Sequence, residues 1–232
     1  MTKTIGNSAK DSRYLKRLKD AIEHDKDHPR NNGVRMQAHH IISGDGMKRS
    51  KMGKKIEQFG YNINYLPNLV FIPSTLQGAC YLGVQPHRGN HDFSMEQEDY
   101  QDDLEPPGYH ELVATRLRRL ELPMEKECDK ETSHDRAKVV DALDALSKSI
   151  LNLIQFKPAE APLTKLASHF GIGAVGCSGT DSIKTHVRTR TCPVDRKHRV
   201  DAAHPELSQG PSQNHENITF ALTGKFRLKV KN

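Results

Sequence analysis

The chain has 232 residues, 35% of them hydrophobic, and carries 35 Lys and Arg against 29 Asp and Glu, a formal charge of +6. That length suits one domain or two small ones. Apolar runs stay far short of the roughly 18 residues a bilayer span requires, the N-terminal residues lack the apolar core of a Sec signal, and four cysteines are too few for a disulfide scaffold.

The basic surplus favours polyanionic partners, nucleic acid first. Thirteen histidines add an excess of the commonest metal ligand and of the usual base near neutral pH, so their placement matters.

In chain order, Asp11 or Ser12 is the expected cap of a first helix, with Tyr14, Leu15, Leu18 and Ile22 on one face. Asn31-Asn32-Gly33 breaks it, and 34–42 reads as a strand carrying His39 and His40. The basic stretch Lys48-Arg49-Ser50-Lys51-Met52-Gly53-Lys54-Lys55 leads into a short helix through Ile56 and Phe59, stopped by Gly60. Residues 68–73 read as a second short strand ended by Pro73. After His87 and His91 comes an acidic run, 96–105, and the punctuation Pro106-Pro107-Gly108.

Helices are expected over 109–121 and 132–155, the latter with a packing seam of Val139, Leu143, Leu146, Ile150 and Leu153. Beyond Pro158 and Pro162 the composition shifts to Gly, Ser, Thr and His. The expected organisation is therefore an N-terminal helical segment (1–30), a central domain (31–156) and a C-terminal extension (157–232) whose last part, 218–230, alternates around Thr223-Gly224 in the manner of a hairpin. In that extension Cys177, Cys192, His198 and His204 have irregular spacing for zinc ligands, and 184–199 is a basic polar stretch.

Two histidine groups carry the chemistry. His39 and His40 are neighbours on a strand, so their side chains point to opposite faces, and only one of them readily joins a given metal site. His87 and His91 are four apart, so on a helix they share a face and reach one ion. Three imidazoles would leave positions open for water and substrate, the mark of a catalytic metal site.

The segments Ala38-His39-His40-Ile41-Ile42, Gly60-Tyr61-Asn62-Ile63-Asn64 and Asn68-Leu69-Val70-Phe71-Ile72-Pro73, followed by His87-x-x-x-His91, occur in that order over about residues 30–155. The combination resembles the AHH branch of the HNH/endonuclease VII superfamily, whose nucleases carry a ββα-metal finger. The resemblance implies an α+β fold, a small ββα-metal core framed by helices, and an endonuclease acting on DNA, with RNA left open as the alternative substrate. It assigns His39, His87 and His91 to one divalent metal ion (Zn, Ni, Mn or Mg). It makes His40 the general base and Asn68 the residue that holds the loop between the strands and orients His40 through a backbone hydrogen bond.

Arg88, between two ligands, is an expected phosphate contact, as are Lys48, Arg49, Lys51, Lys54 and Lys55. Arg116, Arg118 and Arg119 are expected to be merely solvated. The family's habit implies a bacterial toxin or secreted effector, held in the producer's cytoplasm with an immunity protein and delivered by a dedicated secretion machine. The rival reading is a zinc-stabilised nucleic-acid-binding module that cuts nothing; such a site has no use for the second histidine, His40. The sequence departs from the family pattern in the acidic residues after His91 and throughout the tail from about residue 160.

Overall fold

The computed structural model describes residues 13–87, 108–120, 133–164, 167–171, 218–223 and 225–230. Arg88, His91, the acidic run, Cys177, Cys192, His198, His204 and the basic stretch 184–199 lie outside these residues.

The architecture is α+β: helices packed around a small two-stranded antiparallel sheet. Helix α1 (Tyr14–Asp20) buries Leu18 as expected, with Ile22 beyond its end also in the core, while Leu15 faces outward. Strand β1 (Met36–His40) is shorter than its apolar run. Ile42 bonds through both its N–H and its C=O to the side chain of Asn68, so the chain leaves the ladder after His40. Strand β2 (Leu69–Pro73) pairs with it in the register Met36↔Pro73, Ala38↔Phe71 and His40↔Leu69.

The basic stretch departs from expectation, since it is itself helical. Ser43 caps α2 (Gly44–Ser50) by accepting from Gly46 N, Lys51 turns the chain at φ 64°, and α3 (Gly53–Gln58) follows. Gly60, at φ 82°, stops α3 as its position predicts.

Helix α4 (Leu76–Leu82), capped by Thr75, has no counterpart in the sequence reading. Gly78 in its middle weakens the helical signal. The helix ends at Gly83 with φ 65°, and Pro86 follows, so His87 sits in irregular chain and not on a helix. Its backbone N–H donates to Pro73 O, which fastens it to the end of β2.

Helix α5 (Tyr109–Arg118) crosses α2 so closely that a Cβ on Gly46 would overlap the Val113 side chain. Helix α6 (Ser133–Phe156) supplies the expected core seam through Val139, Leu143, Leu146 and Ile150, with Ile154 buried where Leu153 is only half-buried. The one polar side chain in that seam, Ser147, is also fully buried.

The described residues of 218–230 run as irregular chain with no strand pairing. Their backbone groups go elsewhere: Thr219 N and Phe220 N donate to Asn32 O, Tyr81 Oη donates to Phe220 O, and Gln155 brackets Phe226 O and Leu228 N. Ile218 and Leu228 join the same hydrophobic cluster as α1 and the sheet. Among the described residues no helix is long and apolar enough to cross a membrane.

Candidate active site

The period of β1 puts its two histidines on opposite faces, as expected. His39 is 2% exposed and points towards α5, with Gln37 two residues away on the same face. His40, the last residue of the strand, is half-buried on the other face, with the Tyr14 ring of α1 at 4.5 Å.

On the His39 face, the Tyr109 hydroxyl is 3.0 Å from His39 Nε2 and donates to Ile41 O. A hydroxyl has one hydrogen, and the carbonyl can only accept. His39 Nε2–H therefore donates to Tyr109, and the ring's lone pair sits on Nδ1. Burial pushes the Tyr109 hydroxyl well above its ordinary pKa, so it stays protonated and keeps this pattern.

His87 approaches from beyond α4, its ring centroid 4.8 Å from that of His39. Its Nδ1 lies 3.1 Å from Gln37 Oε1, an acceptor, so Nδ1 carries the hydrogen and Nε2 the lone pair. Each ring, when neutral, thus has its tautomer set by a second partner, the arrangement that orients imidazoles towards a metal. The donor set fits a divalent ion. Among the described residues no group of three or more His, Cys, Asp or Glu is gathered around one point, and the expected third ligand, His91, lies outside them.

On the opposite face, His40 Nε2 is 2.8 Å from Asn64 Oδ1. The amide oxygen can only accept, so Nε2–H donates and Nδ1 is left as the basic nitrogen. Burial lowers the His40 pKa below its usual 6.5, against a smaller rise from the Asn64 bond.

Asn64 is 2% exposed, and its place is set by its own loop. Asn64 N donates to Asn62 Oδ1, Arg17 of α1 donates to Asn64 O, and Asn68 Nδ2 donates to Ile63 O. Asn68 itself makes no bond to the His40 ring. Its side chain joins Ile42 N and O, Ile63 O and the Ser147 hydroxyl of α6, and its backbone O accepts from Ile41 N. It clasps the chain just after His40 to the loop at Ile63, and Asn64 makes the ring contact.

The expected phosphate contacts divide. Lys48, Arg49, Lys51 and Lys54 are exposed on α2, α3 and their junction, and Lys55 is half-buried. Arg118 is engaged with the Glu111 carboxylate and Arg49 O, tying α5 to α2, and it holds the Glu111 carboxyl below the usual range. His110, next to Tyr109, faces the Ser43 hydroxyl at 2.8 Å.

Sequence reasoning quoted Asn64 within a motif without giving it a role, and read Tyr109 only as a helix start. Gln37 carried no signal. Their partners are 24, 70 and 50 residues away, brought together by the pairing of the strands and the packing of α5.

A family model described as AHH, a nuclease family of the HNH/ENDO VII superfamily with conserved AHH, matches residues 19–150. No curated protein and no solved structure matches the chain. The match covers more than half of the chain, with Ala38-His39-His40 inside it. The chain belongs to this nuclease family.

Proposed function

We propose that the chain is a metal-dependent endonuclease that hydrolyses DNA phosphodiester bonds, with His40 as general base and one divalent ion held by His39, His87 and His91. The observation that carries this reading is the pair of opposed histidines at the end of β1. One packs its ring against that of His87, with the centroids 4.8 Å apart, and the other keeps its unbonded nitrogen on a half-buried ring.

A phosphodiester lying across this strand end meets both. His40 Nδ1 takes the proton of the attacking water, whose oxygen bonds to phosphorus as the 3′-oxygen departs. Asn64 holds the ring so that Nδ1, and not Nε2, faces the water. A divalent cation, when bound, neutralises charge on the phosphate and stabilises the leaving oxygen. The exposed cations Lys48, Arg49, Lys51 and Lys54, with Lys55 and Arg88, hold the flanking backbone. The setting we infer from the family's habit is that of a bacterial toxin or secreted effector neutralised by an immunity protein in its producer.

The test is plasmid DNA incubated with purified protein, with and without chelator, beside His40→Ala. Cleavage is expected for the wild type, abolished by chelator, and reduced about 10²–10⁴-fold by His40→Ala. Calorimetric metal binding should stay near wild type in that variant. Undiminished cutting by His40→Ala would remove the base assignment.

A further inference from the structure

The catalytic face of the sheet continues into a cavity of about 470 Å³ that the chemistry above does not use. Its floor is Phe71 of β2. Phe71 stands two residues along β2 from Leu69, the register partner of His40, so its ring and the His40 ring share one face of the sheet. The offset between the two pairs is about 7 Å along the strand.

Phe220 and Phe226 form the far wall, their rings edge to face at 6.1 Å. Lys225, Arg227 and Lys229, alternating and exposed, form a cationic rim along one side, while Asp25 and Asp27 line the cavity on the 25–29 segment. The wall is built into the fold. Tyr81 and Asn32 hold the backbone at Phe220, and Gln155 holds it on both sides of Arg227. Arg30 lies 4.8 Å over the Phe71 ring.

We propose that this cavity is a nucleotide subsite: it takes one unstacked base of a single-stranded stretch of substrate against the partly exposed Phe220 and Phe226 rings, above the buried Phe71, with the neighbouring phosphates along Lys225, Arg227 and Lys229. Aromatic faces accept any base by stacking, and a row of cations follows a single-stranded backbone. An uncharged peptide would gain nothing from the rim. The strand offset from His40 is of the order of one nucleotide, so a base seated here presents the adjoining phosphodiester to the end of β1. The inference rests on the nuclease reading and adds to it a preference for unpaired or frayed substrate.

The chain contains no tryptophan, so Phe226→Trp places a single indole reporter in the cavity. In chelator, which prevents cutting, short oligonucleotides of DNA and of RNA should quench that fluorescence when single-stranded and fail to do so when annealed into a duplex. Phe226→Leu keeps the apolar packing and removes the stack, and it should weaken single-strand binding about tenfold. Replacing Lys225, Arg227 and Lys229 by Gln should lower the slope of log affinity on log salt by about 2, given roughly 0.7 per phosphate contact.

Absence of quenching at saturating single strand, or a Phe226→Leu affinity indistinguishable from wild type with the fold intact by circular dichroism, overturns the subsite. If the wild type still cuts plasmid with metal in that case, only the cavity assignment falls. If the wild type neither binds nor cuts any nucleic acid, the nuclease reading falls with it.

Discussion

His39 and His40 are neighbours with different proposed roles because a strand sends alternate side chains to opposite faces, where different partners fix each ring. The partner decides the tautomer, and the tautomer decides the chemistry. For His40 that partner is Asn64, whose Oδ1 lies 2.8 Å from Nε2. Asn64→Ala should therefore lower the cleavage rate while leaving metal affinity unchanged, and ¹⁵N spectra of the His40 ring should show the loss of a single neutral tautomer. An unaltered ring spectrum would show that Asn64 does not fix it. Burial lowers the His40 pKa in the folded chain, so the neutral base survives below the ordinary histidine value of 6.5. A bound cation nearby would push it the same way. At saturating metal the acid limb of the rate should accordingly lie below pH 6.5, measured by initial rates from pH 4.5 to 8; a limb above 6.5 contradicts a depressed base. The stability sign is the same. A depressed folded-state pKa contributes stability that is present above the unfolded value and lost as pH falls through the folded one.

The elements do what single residues cannot, which is to hold these partners still. Helix α5 delivers Tyr109 to His39, and its passage over α2 is permitted by Gly46. Tyr109→Phe removes the acceptor for His39 Nε2–H and the donor to Ile41 O at once. Metal affinity should drop about 10–100-fold by calorimetry, the usual cost of losing such a partner, with the helical spectrum retained. An unchanged affinity would leave Tyr109 a packing residue only. Asn68 is the corresponding anchor between α6 and the two loops. Asn68→Ala would strand Ile42 N, Ile42 O and Ile63 O, all buried, and leave the Ser147 hydroxyl only its contact with the Tyr61 hydroxyl. At roughly 1–3 kcal/mol per orphaned group, a loss above about 3 kcal/mol is expected in urea unfolding. A loss well below that would mean water replaces the amide. The strands, α1, α5 and α6 were legible because an apolar period marks each one. The helical character of the basic stretch and the whole of α4 were not: Gly53 and Gly78 interrupt those segments, and their helicity comes from the Ser43 and Thr75 caps and from packing. Asn68 was legible as a holder of the loops, yet its means is side-chain clasping, and the ring contact that belongs to Asn64 is a long-range fact no local pattern encodes.

At the scale of the molecule, the paired histidines come from distant parts of one cooperative core. His39 stands on β1, and His87 follows β2 and α4, 48 residues later along the chain, its N–H fixed to Pro73. The Gln37 contact that sets the His87 tautomer exists only when the sheet is formed. An unfolded chain offers its histidines as separate weak ligands, so a metal that binds this site binds the native state preferentially and stabilises it by linkage. The size of the effect follows from the affinity alone. A divalent ion supplied at about a hundredfold over its dissociation constant should add about 2.7 kcal/mol. In calorimetry the melting temperature of the wild type should then climb with the logarithm of Mn²⁺ or Zn²⁺ concentration, and chelator should reverse the climb. His87→Ala removes one of the two proposed ligands whose rings the fold brings edge to face, and should flatten the dependence while melting as one transition in chelator. His40→Ala, on the other face of β1, should climb as the wild type does. This contrast separates the proposed ligand His87 from the proposed base His40 without any measurement of cutting. A His40→Ala variant that lost the metal-dependent climb while His87→Ala retained it would exchange their assigned places, because only the residue facing the ion can transmit its binding energy to the fold.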